Sequence, residues 1–415
     1  MNRQFWVVVH RYAGLYMAVF LIVASLTGSI LAFRGEIDQW LNPPEQVALK
    51  NLPRLDEISL LEKAEQLLPN GKIYVLQLNR KPEEAYRAQL APRMNASGDL
   101  TANFINLDPY SGAEISRGNL PAEIWPVTRQ NFINLIISLH YRLAIPGSVG
   151  VWLFGIAALI WTVDCFVSAY LTFPLAVKKS ENSRRTPLKS WLSRWKPAWM
   201  IKYPASTIRI HFDLHRAGGL WTWLLLLVLA WSSVGFNLDD QVYFPVMKKL
   251  FAMPNLLGDL PQLPQPKEYP ELTWRPALSR GRELMAAEAV AGNFKILREE
   301  MLLYRPDTGV YLYMVKSDRD LATEIGNTFL LFDAESGQNK GVFIPSGYNP
   351  GCTIHSWIFA LHMAAIWGLP YKIFLAVIGL VISLLSITGV YIWYKKRKAR
   401  ISRLKKMPYQ FISDR

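Results

Sequence analysis

Six histidines are the residues best suited to chemistry. All of them (His10, His140, His211, His215, His355 and His362) lie in or beside apolar stretches long enough to cross a membrane. None falls in the two long polar segments, about residues 35–130 and 238–350, that hold about half of the chain. Imidazole near a bilayer core is costly without a partner, so ionisable residues there are functional candidates by default. Neutral imidazole is also the commonest metal ligand. Cysteine offers no rival ligand set. Cys165 lies inside an apolar run and Cys352 outside one, and neither a C-x-x-C-H attachment motif nor a C-x-x-C pair is present. A haem would therefore be held without a thioether link, and an iron–sulfur cluster lacks thiolates.

The elements that must position these histidines follow from composition. Apolar residues make up 51% of the 415, with 15 Trp, more than a water-soluble domain needs. Four runs, about Tyr12–Phe33, Val149–Phe173, Gly219–Phe236 and Ile373–Tyr394, can each bridge a hydrocarbon core of roughly 30 Å at 1.5 Å per residue. Only helices satisfy their own backbone there. The link between runs two and three carries Lys178, Lys179, Arg184, Arg185, Lys189, Arg194, Lys196, Lys202 and Arg209 against Glu181 alone, and the tail reads KKRKARISRLKK. By the positive-inside rule both are cytoplasmic, as is the N-terminus with Arg3 and Arg11. Topology thus accounts for the basic runs without nucleic acid. Run one resembles a signal peptide, yet no small-x-small site follows it, and it is expected to be retained.

The expected layout is a transmembrane helix with a cytoplasmic N-terminus (1–34), an outer α+β domain (35–130), and a lead-in helix with the second transmembrane helix (131–174). A basic cytoplasmic loop (175–207), the third transmembrane helix (208–237) and a second outer α+β domain (238–350) follow. A second lead-in helix with the fourth transmembrane helix (351–394) and a basic tail (395–415) end the chain.

The halves repeat. His10-Arg-Tyr-Ala-Gly-Leu15 matches His215-Arg-Ala-Gly-Gly-Leu220, and Ser25-Leu-Thr-Gly28 is set against Ser232-Ser-Val-Gly235. Each outer segment runs helix, strand, then an Asp-x-x-Ser-Gly hairpin (Asp108–Gly112; Asp333–Gly337), where Gly supplies positive φ. Leu139-His140 and Leu361-His362 each precede a Pro/Gly turn and a transmembrane run. Such duplication predicts a pseudo-symmetric helix bundle with sites between the repeats.

The layout sorts the histidines by depth: His10, His211 and His215 at the cytoplasmic ends, and His140, His355 and His362 at the outer ends. Each layer holds one repeat-matched pair, His10 with His215 and His140 with His362. Two axial imidazoles on a b-type haem in a helix bundle fit this arrangement. Gly14 and Gly219, one turn beyond His10 and His215, leave room for a flat macrocycle, though small residues also serve plain helix packing. Arg11 and Arg216 could pair with haem propionates or anchor the cytoplasmic side. His211 and His355 share helix faces with His215 and His362 and stand as secondary candidates.

The duplicated [L/V]-H-R-x-x-G-L start, the S-[L/I]-T-G element, the Leu-His lead-in with its Pro/Gly turn, and the paired D-x-x-S-G segments resemble the PepSY-associated transmembrane family of iron-regulated bacterial inner-membrane proteins. The resemblance covers nearly the whole chain. It implies a membrane α-helical fold, a four-helix bundle from an internal duplication with two periplasmic α+β PepSY-like domains, and the activity of a ferric-siderophore reductase. It also implies two non-covalent, bis-His b haems ligated by His10, His140, His215 and His362. The added His211 and His355 leave the choice within each layer open.

The function so implied passes electrons from the cytoplasmic side, or from quinol, to a ferric siderophore in the periplasm and releases Fe(II). Tyr141, Arg142 and Trp357 could dock an anionic or aromatic ligand, or belong to the interfacial aromatic belt. The donor is not encoded, since no G-x-G-x-x-G follows a strand and the cytoplasmic loop is short. A soluble flavoprotein or quinol remains. The alternatives are a quinone-linked cytochrome b and a transporter of metal or siderophore. A transporter would need polar groups along the helices, and Asp164 is the only acidic residue well inside a run. A module restraining a protease would leave the histidines idle.

Overall fold

The computed structural model describes residues 2–94, 98–175 and 187–405. Lys178, Lys179, Arg184 and Arg185 of the basic link, and the tail beyond residue 405, lie outside the described residues. In chain order the α-helices are α1 (Arg3–Leu31), α2 (Arg34–Leu41), α3 (Glu57–Leu67), α4 (Phe132–Arg142), α5 (Val149–Thr172), α6 (Pro187–Trp195), α7 (Thr207–Asn237), α8 (Phe244–Phe251), α9 (Trp274–Ala291), α10 (Pro350–His362) and α11 (Gly368–Lys405). The strands are β1 (Gly71–Lys72), β2 (Val75–Gln77), β3 (Tyr86–Gln89), β4 (Ala91–Pro92), β5 (Phe104–Leu107), β6 (Glu114–Gly118), β7 (Ile296–Arg305), β8 (Val310–Ser317), β9 (Thr328–Asp333) and β10 (Asn339–Phe343). The chain forms two compact units.

The helical unit comprises Met1–Phe33, Ile136–Asp239 and Leu369–Arg415. Among the described residues, four helices are long and apolar enough to cross a membrane: α1, α5, α7 and the Gly368–Ser402 part of α11. The protein is therefore a multi-pass membrane protein. Three helices extend beyond their apolar runs because polar turns are stabilised locally. At the start of α1 the Asn2 side chain accepts from the Gln4 amide at 3.2 Å, capping the first turn. The first turns of α7 bury Asp213 completely, and its carboxylate accepts from Arg209 and Arg216, each at 2.8 Å. That ion cluster carries the helix back to Thr207, short of which the apolar run had stopped at Gly219.

Small residues let the four helices close into a ring. A side chain at Gly155 of α5 would meet Leu238, and one at Gly218 of α7 would come 3.3 Å from Leu385 of α11. Ser25 of α1 and Ser383 of α11 share a hydrogen bond of 2.7 Å, and the Ser29 hydroxyl donates to the Ala376 carbonyl at 2.9 Å. Interhelical hydroxyl bonds and small contact residues replace the hydrophobic drive that lipid does not supply.

The sheet unit comprises Arg34–Leu135 and Asp240–Gly368. Its largest sheet is antiparallel in the order β10-β9-β8-β7-β2, with a three-stranded β3-β5-β6 sheet and a two-stranded β1-β4 pair beside it. Both Asp-x-x-Ser-Gly turns close hairpins. Asp108 accepts from the amides of Tyr110 and Ser111, and Asp333 from those of Glu335 and Ser336, with Gly112 and Gly337 at φ 69° and 68°.

Two outer domains are expected from the sequence, whereas the two segments share one core. Leu60, Leu61, Leu76 and Ile105 of the first pack in one cluster with Met285, Leu302, Tyr313 and Phe332 of the second. β2 is the fifth strand of a sheet otherwise built by the second segment, with Leu76 opposite Leu302. The physical reason is area: the first segment's strands span two to five residues and cannot bury enough apolar surface alone.

Candidate cofactor site

His10 on α1 and His215 on α7 face each other, with ring centres 6.1 Å apart and planes inclined by 54°. Two imidazoles binding one iron from opposite sides through Nε2 would have centres about 6 Å apart, from about 2 Å per metal–nitrogen bond. The observed separation of the two rings matches the one that such ligation needs.

Both rings are oriented through Nδ1. His10 Nδ1 donates to the carboxylate of Asp164 on α5, at 2.9 and 3.0 Å from its two oxygens. His215 Nδ1 donates to the Leu385 carbonyl of α11 at 2.9 Å, with the Thr388 hydroxyl at 3.3 Å. A proton fixed on Nδ1 leaves the Nε2 lone pair for a metal, and such partners also fix the ring's direction.

Beside the pair opens a cavity of about 480 Å³, lined by His10, Gly14, His215, Gly219, Trp161, Trp223 and Trp393 among others. That size and an apolar lining with a few convergent polar groups suit a cofactor. The glycines decide between the two readings offered by the sequence. A packing glycine has a neighbour where its side chain would be, as Gly155 does. At Gly14 and Gly219 nothing lies within 4 Å of that position. They are open floor rather than helix contacts, and any side chain there would take up cavity space.

The rim is cationic. Arg3, Arg11, Arg216 and Lys396 line the cavity, with Asp164 as its acidic member among the described lining residues. Arg216 also donates to Asp213 and to the Pro197 carbonyl at 2.8 Å, while its buried Nε has no hydrogen-bond partner. A buried, unpaired guanidinium nitrogen is an unmet donor that an anionic group would satisfy. A largely apolar cavity lined by two imidazoles, by Gly14 and Gly219 and by four cationic side chains therefore fits a haem and its propionates.

A second histidine seat repeats the chemistry of the first. His140 on α4 directs Nδ1 to the Ala24 carbonyl at 2.9 Å and the Thr27 hydroxyl at 3.1 Å, against Gly28 of α1. Carbonyl, then Thr three residues on, then Gly at four: Leu385, Thr388 and Gly389 serve His215 in the same way. Residues 10 and 28 of α1 stand about 27 Å apart along its axis at 1.5 Å per residue, so the two seats lie at different depths.

The remaining histidines differ. His211 bonds to the Thr207 carbonyl of its own helix at 2.8 Å and packs on the Tyr391 ring at 4.6 Å, and neither residue is among those lining the cavity. His362 is the last residue of α10 in the sheet unit. His355, on the same helix, lies among Tyr243, Phe244, Phe343 and Phe359, with the Tyr243 hydroxyl 3.1 Å from Nδ1. Burial in that aromatic cage pushes its pKa down to about 4, so it is neutral at physiological pH.

Sequence reasoning missed the roles of Asp164, Arg3 and Lys396 and the two Thr-Gly seats. A signal for the seats was present, because Ser386-Ile-Thr-Gly389 repeats Ser25-Leu-Thr-Gly28 more closely than Ser232-Ser-Val-Gly235 does.

The model of the family described as PepSY-associated TM region matches residues 7–396. No curated protein matches the chain.

Proposed function

The chain belongs to the family of proteins with a PepSY-associated transmembrane region, and on that premise we propose that it is a membrane-embedded b-type haem protein. In this reading it passes electrons through the bundle to a ferric siderophore. The observation that carries it is the His10–His215 pair, 6.1 Å apart with both Nδ1 atoms occupied, over a cavity floored by two glycines. Bound haem would supply one-electron exchange between Fe(III) and Fe(II).

The protein's own residues do the rest. His10 and His215 would hold the iron through Nε2, their rings held in direction by Asp164 and by the Leu385 carbonyl with Thr388. Gly14 and Gly219 leave the floor open. Arg3, Arg11, Arg216 and Lys396 supply positive charge at the rim, where carboxylates would be held. The largely apolar walls, with Trp161, Trp223 and Trp393, would pack against a macrocycle. A second haem would take His140 as a ligand, with His362 as the partner that the sequence repeat offers.

The charge bias supports an inner-membrane orientation with both termini cytoplasmic. The substrate is then a ferric chelate on the outer side, since Fe(II) binds hard oxygen ligands far more weakly than Fe(III), and one electron releases the metal.

The test is spectroscopic and then chemical. Purified protein should contain two non-covalent, six-coordinate, low-spin haems, and the dithionite-reduced form should be reoxidised by a ferric siderophore with Fe(II) trapped by a ferrous chelator. Protein made with ample haem but carrying none would sink the proposal. Reduced haems that ignore ferric chelates yet react with quinone would make the protein a quinone-linked cytochrome instead.

A further inference from the structure

The three histidine seats of the helical unit are not alike. His140 and His215 each give Nδ1–H to a neutral backbone carbonyl backed by a threonine. His10 gives its Nδ1–H to a carboxylate, with both Asp164 oxygens within 3.0 Å. Asp164 itself is almost wholly buried, its side chain 9% exposed, on a helix with no other charged residue from Val149 to Thr172. A carboxylate in that setting is expensive, and plain helix packing gives no reason for it. Leu385 and Thr388 show that this bundle can orient an imidazole with uncharged groups alone, so orientation does not account for Asp164 either.

Resting on the haem reading above, we propose that Asp164 is a positioning residue that makes His10 the most electron-donating haem ligand, setting the His10–His215 haem as the lower-potential of two. A carboxylate drawing on Nδ1–H gives the ring imidazolate character, and hydrogen bonds to the ligand are a principal means by which proteins tune a haem. Both the richer ligand and the nearby negative charge favour Fe(III) over Fe(II). Electrons arriving at the His10 level would then be favoured to move towards the His140 level, about 27 Å away along α1. The asymmetry would give electron flow through the bundle a preferred direction.

Equilibrium redox titration of the purified, haem-loaded protein tests this in three chains: wild type, Asp164→Asn and Asp164→Glu. In the wild type, the component lost in His10→Ala should be the lower-potential one. Asp164→Asn keeps an acceptor for Nδ1–H but removes the charge. It should keep haem content and raise that component so that its ferric-to-ferrous ratio at fixed potential falls about tenfold, equivalent to about 59 mV for one electron. Asp164→Glu keeps the charge and should stay near wild type. An unchanged potential in Asp164→Asn, an equal shift in Asp164→Glu, or a higher potential for the His10 component overturns the proposal. If Asp164→Asn does not retain haem, the wild-type ferric EPR spectrum decides. An axial ligand of imidazolate character compresses the g-anisotropy of one haem relative to the other, and two ordinary neutral bis-imidazole signals would count against Asp164. A wild-type protein with no haem at all removes the haem reading itself, which is a different failure from two haems insensitive to Asp164.

Discussion

Gly389 lies beneath the imidazole of His215 so closely that a methyl group there would stand 3.1 Å from Cε1, and Gly28 stands in the same relation to His140 at 3.0 Å. Each glycine is a seat whose lack of a side chain fixes where the ring rests. Alanine is favoured over glycine in a helix by about 1 kcal/mol, so Gly28→Ala and Gly389→Ala should not weaken the helices themselves. Each should instead push one ring off its seat and lower haem occupancy at its own level only. Haem per chain, with helicity by circular dichroism as control, measures this. Full occupancy in both variants would show that the seats do not position ligands.

Gly14 and Gly219 give the converse test. Nothing lies within 4 Å of where their side chains would start, so the side chains of Gly14→Leu and Gly219→Leu would begin in open space and extend into the cavity. Both variants should insert, fold and run as wild type on size exclusion while losing the haem of the His10–His215 level. Retention of that haem would mean that the cavity is not its site.

Single histidine substitutions assign the ligands. His10→Ala and His215→Ala should remove one haem, and His140→Ala and His362→Ala the other. His211→Ala should spare both, because the ring bonds only within its own helix and to Tyr391 among the described contacts. Loss of haem in His211→Ala with retention in His215→Ala would exchange the two assignments.

The aromatic cage of His355 predicts an acid-sensitive sheet unit. The folded pKa, about 4, lies below the ordinary 6.5, so an unfolded chain binds a proton more readily between those values. Stability is unaffected above pH 6.5 and declines as pH falls from there towards 4, by on the order of 2 kcal/mol after allowance for partial exposure. His355→Gln should flatten that decline, as read from thermal melts at pH 7 and pH 5. Equal slopes in the two chains would show that the cage does not hold the ring neutral.

Apolar content made the four membrane helices legible, since only a helix satisfies the backbone of such runs. Their ends were not, because Asp213 with Arg209 and Arg216 extends α7 through residues that hydropathy reads as polar. His10 and His215 were legible through the repeat, and Gly14 and Gly219 through their spacing from them. Asp164 was visible as a lone acid, but its partner lies 154 residues away and no local pattern joins them. The same limit hid the merger of the two sheet-forming segments. Alternation identifies a strand such as β2 but says nothing about which distant strand it will pair with.

That merger predicts interdependence. Leu76→Ala and Leu302→Ala remove buried side chains on opposite sides of the β2–β7 junction, and each should cost about 2–5 kcal/mol. Residues 34–135 produced alone should lack the amide-exchange protection of a folded domain, and mixing them with residues 240–368 should restore it. Cooperative unfolding of the first piece by itself would show that two domains had merely come into contact.

The β2–β7 junction also sets a schedule for synthesis. Asn79, just past β2, donates to Glu300 across 221 residues of sequence. At about 5–20 residues per second, a ribosome needs roughly 10–45 s to supply that partner. Through that interval two further membrane helices must be inserted while an unpaired strand edge waits, and such an edge is a template for wrong pairing. The nascent chain therefore passes through a vulnerable stage built into its topology, during which a holding chaperone would have β2 and its apolar neighbours as its natural target.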